Sequence, residues 1–259
     1  MADARQREAW GDELHAALLA RTAVAPLTER DPDVTVEDAY HVSRRILALR
    51  EARGERLVGK KIGVTSPAVQ QMLGVFEPDF GYLTDAMHRH GQVPVSTELI
   101  QPRAEGEIAF VLAHDLQGPG VTRAQARAAV ATAHPCFEIV DSRIEGWRIR
   151  IQDTVADNAS SGQFVLGDGV PLGDLDLDAV EMVVHKNGAF LSRGLGSAAL
   201  GSPFEAVAWL ANTLGRYGIP LRAGEIILSG SLVPLEPVVA GDRMHADLGP
   251  LGTLTVEFT

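Results

Sequence analysis

Apolar positions set the first division of the chain. Trp10, Leu14 and Leu18 recur at a spacing of four within residues 6–21, with Glu8, Asp12 and Glu13 elsewhere around the cylinder. That spacing predicts an amphipathic helix. A second helix opens at Thr35, with Asp38 three residues on as its capping partner, carries Tyr40, Ile46, Leu47 and Leu49, and stops at Gly54. From Leu57 the pattern changes. Residues 57–65 read as a strand, and Ser66-Pro67 then starts a short helix, Pro67–Leu73, ended by Gly74. Residues 75–100 carry Pro, Gly, Asp and His and read as loops. Ile108–Leu112 is a strand, Thr122 opens a helix running to about His134, Pro135 ends it, and Phe137–Val140 resumes strand character.

Residues 141–163 are polar and irregular, followed by short strands at Phe164–Leu166 and Met182–His185. Asn187-Gly188 signals a hairpin. Ser202-Pro203 starts a helix reaching Tyr217. Strands follow at Glu225–Ser229, Val238–Val239, Arg243–Asp247 and Thr253–Phe258. Helices dominate the first half and short strands the second, without regular alternation, so the expected class is α+β. The expected organisation is a helical N-terminal region, residues 1–56, and a β domain, residues 57–259, working as one unit.

Composition narrows the partners. With 46% apolar and 22% charged residues, the 259-residue chain has the balance of a globular protein with a sizeable core. A net charge of −11 argues against non-specific nucleic-acid binding, which needs a basic surface. The single cysteine, Cys136, forms no internal disulfide and no Cys-rich zinc site. Residues 1–8 hold no apolar core of a signal peptide, and no run approaches the ~18 apolar residues that span a bilayer, so the cytoplasm is the expected compartment, without a membrane partner.

Glu105-Gly106-Glu107 heads an apolar strand, where residues two apart share a side, and Glu138 sits inside another apolar strand. Buried carboxylates need a partner. Spacing leaves two readings: an oxygen-ligand site for a hard dication, or a solvated strand end beside a salt-bridged Glu138. Lys60-Lys61, in an apolar strand, is either an acid, base or anion-binding pair or a solvated end. Residues 153–162 form a dense polar loop with hydroxyls and an amide suited to holding a carboxylate. Gly194-Leu195-Gly196 loosely matches a dinucleotide fingerprint but lacks the strand–turn–helix around it, and His88-Arg89-His90 lies in a loop rather than at ligand spacing on a helix.

Several stretches resemble the 2-keto-4-pentenoate hydratases (2-hydroxypenta-2,4-dienoate hydratases) of the fumarylacetoacetate hydrolase superfamily. They are Gly59-Lys60-Lys61-Ile62-Gly63-Val64-Thr65, Glu77-Pro78-Asp79-Phe80-Gly81, Gln101 through Leu112, Glu138-Ile139-Val140-Asp141-Ser142-Arg143-Ile144, and Asp153 through Gly162. The resemblance covers nearly the whole chain. It implies a mixed, largely antiparallel β-roll like the fumarylacetoacetase C-terminal domain, with a helical N-terminal region. It implies Mg²⁺ or Mn²⁺ bound by Glu105, Glu107 and Glu138, with Lys61, Asp79 and Ser161 catalytic and Lys60, Ser160 and Arg143 binding substrate. The implied reaction is hydration of a 2-hydroxydienoate in aromatic meta-cleavage catabolism. The alternatives are a 4-oxalocrotonate decarboxylase and a hydratase of a longer dicarboxylic dienol. The implied partners are the small-molecule substrate, further copies of the chain in a homo-oligomer, and a pathway decarboxylase.

Overall fold

The computed structural model describes residues 2–259, so Met1 of the expected N-terminal region lies outside the described residues. The chain opens with three helices, α1 (Ala4–Ala20), α2 (Leu27–Arg30) and α3 (Val36–Ala52). Asp3 caps α1, and Thr35 with Asp38 makes the expected box at α3. Then come β1 (Leu57–Gly63), α4 (Pro67–Leu73), β2 (Asp79–Thr84), β3 (His88–Arg89), β4 (Gln92–Val93), α5 (Val95–Glu98) and β5 (Arg103–Leu112). The middle of the chain supplies α6 (Arg123–Ala128), β6 (Val130–Val140), α7 (Ile151–Ala156), β7 (Ser161–Leu166) and β8 (Val170–Pro171). The last part is β9 (Glu181–Lys186), β10 (Ala189–Leu195), α8 (Pro203–Gly215), β11 (Ile226–Ser231), β12 (Glu236–Pro237), β13 (Arg243–Asp247) and β14 (Thr253–Phe258).

Two mixed sheets carry the fold. The larger runs β2-β1-β11-β5-β6-β7-β3, with β12 on β5 and β8 on β6; its parallel pairs are β1 with β11 and β3 with β7. The smaller runs β10-β9-β13-β14-β4. This is the α+β roll with a helical N-terminal region that the sequence led us to expect. One face of the large sheet presents Ile62, Phe80, Ile108, Phe110, Phe137 and Ile139, which pack with Phe204, Leu210 and Leu214 of α8 and with Val184 and Val256 of the small sheet. The N-terminal helices share a separate core with the α7 region: Trp10, Leu14, Val42 and Ile46 meet Ile144, Val155 and Ala156.

Four expectations need correction, the first being that residues 141–163 are irregular, because α7 and the start of β7 lie within them. Residues 75–100 are not all loop, because β2 lies inside them, buried along its whole length by antiparallel pairing with β1. The helix after Thr122 stops at Ala128 rather than His134, and Pro135 sits within β6 opposite Ile108. The Ala-rich run 128–133 favours a helix locally, but ten paired positions along β5 override that propensity. Val238–Val239 is not a strand; the short β12 precedes it. The Asn187-Gly188 hairpin forms as expected, with φ of 54° and 83°. Gly194 is a packing residue, since a Cβ there would lie 1.8 Å from the Leu232 carbonyl oxygen.

Candidate metal centre and active site

Period-two alternation in β5 sends Ala104, Gly106, Ile108 and Phe110 toward the main core and Glu105 and Glu107 to the opposite face. β6 runs antiparallel beside it with Glu138 directly across from Glu105. One oxygen from each of the three carboxylates falls within 4.8 Å of the others, and all three residues are buried. β1 brings Lys61 to the same face, its Nζ 3.2 Å from Glu138 Oε1. Asp79, at the start of β2, pairs in register with Gly63. A Cβ on Gly63 would lie 2.2 Å from Asp79 Oδ1 and 3.1 Å from Lys61 Nζ, so the absence of a side chain lets those two groups converge.

Electrostatics follow from this crowding. Burial pushes Glu105 up to about 8, with Glu138 adding to the rise and Lys61 opposing it. Burial, then neighbouring carboxylates, raises Glu107 well above the usual range. Burial also raises Glu138 and Asp79 against the pull of Lys61. For Lys61 burial favours loss of the proton, but Glu138 and Asp79 outweigh it and raise the ammonium.

The donor set fits a divalent cation. Glu107 Oε2 accepts from the Gly230 N–H at 2.9 Å and Glu138 Oε1 meets only the Lys61 ammonium, while Glu107 Oε1, Glu138 Oε2 and Asp79 Oδ1 lack hydrogen-bond partners among the described residues. Four carboxylates (Asp79, Glu105, Glu107, Glu138) face one ammonium, Lys61, so the full ionised set carries a surplus of negative charge. A dication supplies both the charge and the missing partners, and oxygen-only ligands suit Mg²⁺ or Mn²⁺.

Lys61, Asp79, Glu105, Thr154 and Ser160 line a small cavity, with Val64, Val69, Val140, Trp147 and Leu235 as its apolar lining. One of these residues, Thr154, was given no role from the sequence and bears directly on the polar end. The Thr154 hydroxyl, from α7, donates to Asp79 Oδ2 at 2.9 Å. α7 is itself tied to the N-terminal layer, because Asp153 accepts from the Thr28 N–H and hydroxyl. Asn158 holds the following turn by bonding both the N–H and the carbonyl of Tyr82. Asn158, Ala159 and Ser160 all have φ near +50°, three successive non-glycine residues in the left-handed region. The dense polar composition of residues 153–162 was the available signal; the partners were not legible.

Three sequence-based assignments are not brought to the cavity. Lys60 points to the other face of β1, where its Nζ meets Glu225 at 2.6 Å. Arg143 is spent on the protein: Nε bonds Asp157 Oδ1 at 2.5 Å, Nη1 donates to the Asp141 and Ser161 carbonyls, and Nη2 to the Asp157 carbonyl. The Ser161 hydroxyl donates to the Asn158 carbonyl at 2.7 Å, and Ser160 takes the place on the wall. His88 stacks on Phe164 and forms no metal cluster among the described residues.

Residues 69–259 match the family model described as fumarylacetoacetate (FAA) hydrolase C-terminal. A 2-hydroxyhexa-2,4-dienoate hydratase of Comamonas testosteroni is 57% identical over the full length of both chains. A 2-hydroxypent-2,4-dienoate hydratase of Pseudomonas putida is 63% identical over 81% of this chain and 96% of its own. Among solved structures, 4-oxalocrotonate decarboxylase from Pseudomonas putida G7, complexed with magnesium and adipate, superposes with a TM-score of 0.96 at 35% identity, covering 100% of this chain and 99% of that one.

Proposed function

This chain belongs to the fumarylacetoacetate hydrolase C-terminal family, and from that premise we propose that it is a hydro-lyase of the 2-keto-4-pentenoate hydratase type. It adds water to a 2-hydroxy-2,4-dienoate to give a 4-hydroxy-2-oxoalkanoate. The observation that carries the reading is the trio of buried, under-partnered carboxylates beside Lys61 and Asp79, in a chain similar from end to end to named hydratases.

In this reading Glu105, Glu107 and Glu138 hold a divalent cation, Mg²⁺ or Mn²⁺. Such a cation would supply Lewis acidity and positive charge toward the substrate's oxygens. Lys61 and Asp79 handle protons. The dienol hydroxyl loses its proton and the terminal alkene carbon, C5, gains one, giving a 2-oxo-3-enoate. Water then adds across C3 and C4: hydroxide bonds to C4 and a proton reaches C3. Thr154 fixes the Asp79 carboxylate by its hydrogen bond, and burial of the pair strengthens every charge interaction in the cavity. Ser160, which lines the cavity and whose hydroxyl also lies 3.4 Å from Asp157 Oδ2, is the serine we assign to the substrate carboxylate or enol oxygen.

The decarboxylase alternative is favoured by the TM-score of 0.96, but its 35% identity falls well below the 57% of the full-length hydratase relative. We place the reaction in aromatic meta-cleavage catabolism, in the cytoplasm, by a homo-oligomer that associates with a pathway decarboxylase. Among the described residues no helix is long and apolar enough to cross a membrane. The deciding experiment follows loss of 2-hydroxypenta-2,4-dienoate by ultraviolet absorbance, with Mg²⁺ and with EDTA, and weighs the product. Metal-dependent gain of one water is expected. Inertness toward dienoates combined with CO₂ release from 2-oxohex-3-enedioate would replace the hydratase reading with the decarboxylase.

A further inference from the structure

The cavity has two chemically distinct ends. Lys61, Asp79 and Glu105 mark one. At the other, Val69, Val140 and Leu235 form a small buried cluster with Trp147 packed against it, separate from the three larger apolar clusters. Those four side chains come from four segments: α4, the end of β6, the loop after β11 and the turn before α7. Trp147 is held in place. Its indole Nε1 donates to the Gln101 carbonyl at 3.1 Å, the Arg103 guanidinium lies 4.5 Å from its ring centroid, and its φ is +56°, unusual for so bulky a residue. Among the described lining residues Lys61 is the one lysine or arginine, and Glu138 already engages it.

We propose that Val69, Val140, Leu235 and Trp147 form a specificity wall that selects 2-hydroxydienoates ending in an uncharged alkyl group. The selection runs against the unsubstituted five-carbon dienoate and, more strongly, against a dicarboxylate. The inference rests on the hydratase reading, in which the substrate carboxylate lies toward the glutamates and the far end of the chain meets the wall. A terminal methyl leaves water for apolar contact, which favours binding by about fourfold. A second carboxylate pressed on the same wall loses its hydration, with Lys61 already engaged by Glu138 and the Arg103 guanidinium stacked against Trp147, a penalty of about a hundredfold or more.

The test compares kcat/KM for 2-hydroxypenta-2,4-dienoate, 2-hydroxyhexa-2,4-dienoate and 2-hydroxyhexa-2,4-dienedioate. In parallel, calorimetry measures binding of the unreactive 2-oxopentanoate, 2-oxohexanoate and 2-oxoadipate in the presence of Mg²⁺. The expected order is six-carbon monoacid, then five-carbon, then diacid in both series. Leu235→Ala is expected to bring the six-to-five-carbon ratio close to unity, and Leu235→Arg to improve the diacid at least tenfold relative to the monoacid. If circular dichroism shows Leu235→Arg unfolded, Val69→Ala carries the same ratio test. A flat series, a diacid preference, or ratios indifferent to Leu235 and Val69 would overturn the wall. Should no dienoate gain water, the hydratase reading fails, while the 2-oxo acid series still decides the wall.

Discussion

Arg143 with Asp157, and Glu105 with Glu107 and Glu138, are all removed from solvent, yet the two groups meet burial in opposite ways. Arg143 and Asp157 are saturated. The guanidinium reaches Asp157 Oδ1 and three carbonyl groups, Asp157 Oδ2 accepts from the Arg143 N–H at 2.9 Å, and neither side chain leaves a buried polar atom without a partner. The glutamates, with Asp79, leave three oxygens unpartnered among the described residues and stand close enough to repel one another. A satisfied buried ion pair pins chain segments together. An unsatisfied buried carboxylate cluster is a site awaiting charge. The two lysines of β1 repeat the lesson: Lys60 is closed off by Glu225, whereas Lys61 faces the cavity.

Variants can break this contrast. The largest effect is expected for Glu107→Gln. It removes a cation ligand, so calorimetry should show Mg²⁺ affinity down at least about a hundredfold and turnover down about a thousandfold. The same change relieves a repulsive buried charge, so the metal-free melting temperature should hold or rise; a lower one would mean that the glutamates are structural. Arg143→Met should do the reverse. Leaving Asp157 buried without its cation costs about 3–5 kcal/mol of stability in urea unfolding, while Mg²⁺ affinity of the folded protein stays near the parent value. Loss of Mg²⁺ binding with unchanged stability would move Arg143 into the site.

Smaller changes sharpen the boundary between the two. Thr154→Val should lower kcat about tenfold with KM little changed, and Thr154→Ser should restore most of it, because the hydroxyl is what orients Asp79. An equal loss in both variants would assign Thr154 to packing. The smallest effect is expected at Asp38, in the capping box of α3. Burial works to raise its pKa, but the Thr35 hydroxyl and N–H and the Ala2 N–H overcome it and hold the carboxyl below 3.8. A depressed folded pKa contributes stability above the unfolded value that is lost as pH falls through the folded one. Asp38→Asn should therefore cost about 1 kcal/mol at neutral pH, with the gap to the parent closing in strong acid. A gap independent of pH would remove charge from the account.

Local signals were read well where local energy decides. The capping box at Thr35, the Ser66-Pro67 start, the Asn187-Gly188 turn and the strands at 243–247 and 253–258 form as read. The Glu-Gly-Glu spacing placed Glu105 and Glu107 on one face, and the structure puts them there. Strand β2 escaped notice because its Asp, Gly and Thr look like loop until β1 pairs with it. The helix from Thr122 was carried too far because the alanines favour it locally, and the β5 partner that draws them into β6 is remote in sequence.

The sequence by itself determined which groups are chemically capable, since side-chain charge and period-two alternation are properties of a few adjacent residues. Only the tertiary structure decided which of them remain available. Lys60 is separated from Lys61 by partners far along the chain, Glu225 and Glu138, while Arg143 is drawn from the cavity wall by Asp157 and Ser161 is turned from the position of Ser160 by the Asn158 carbonyl. The physical reason is that a buried polar group takes the nearest partner the fold provides, and long-range pairing of strands and helices sets which partner that is.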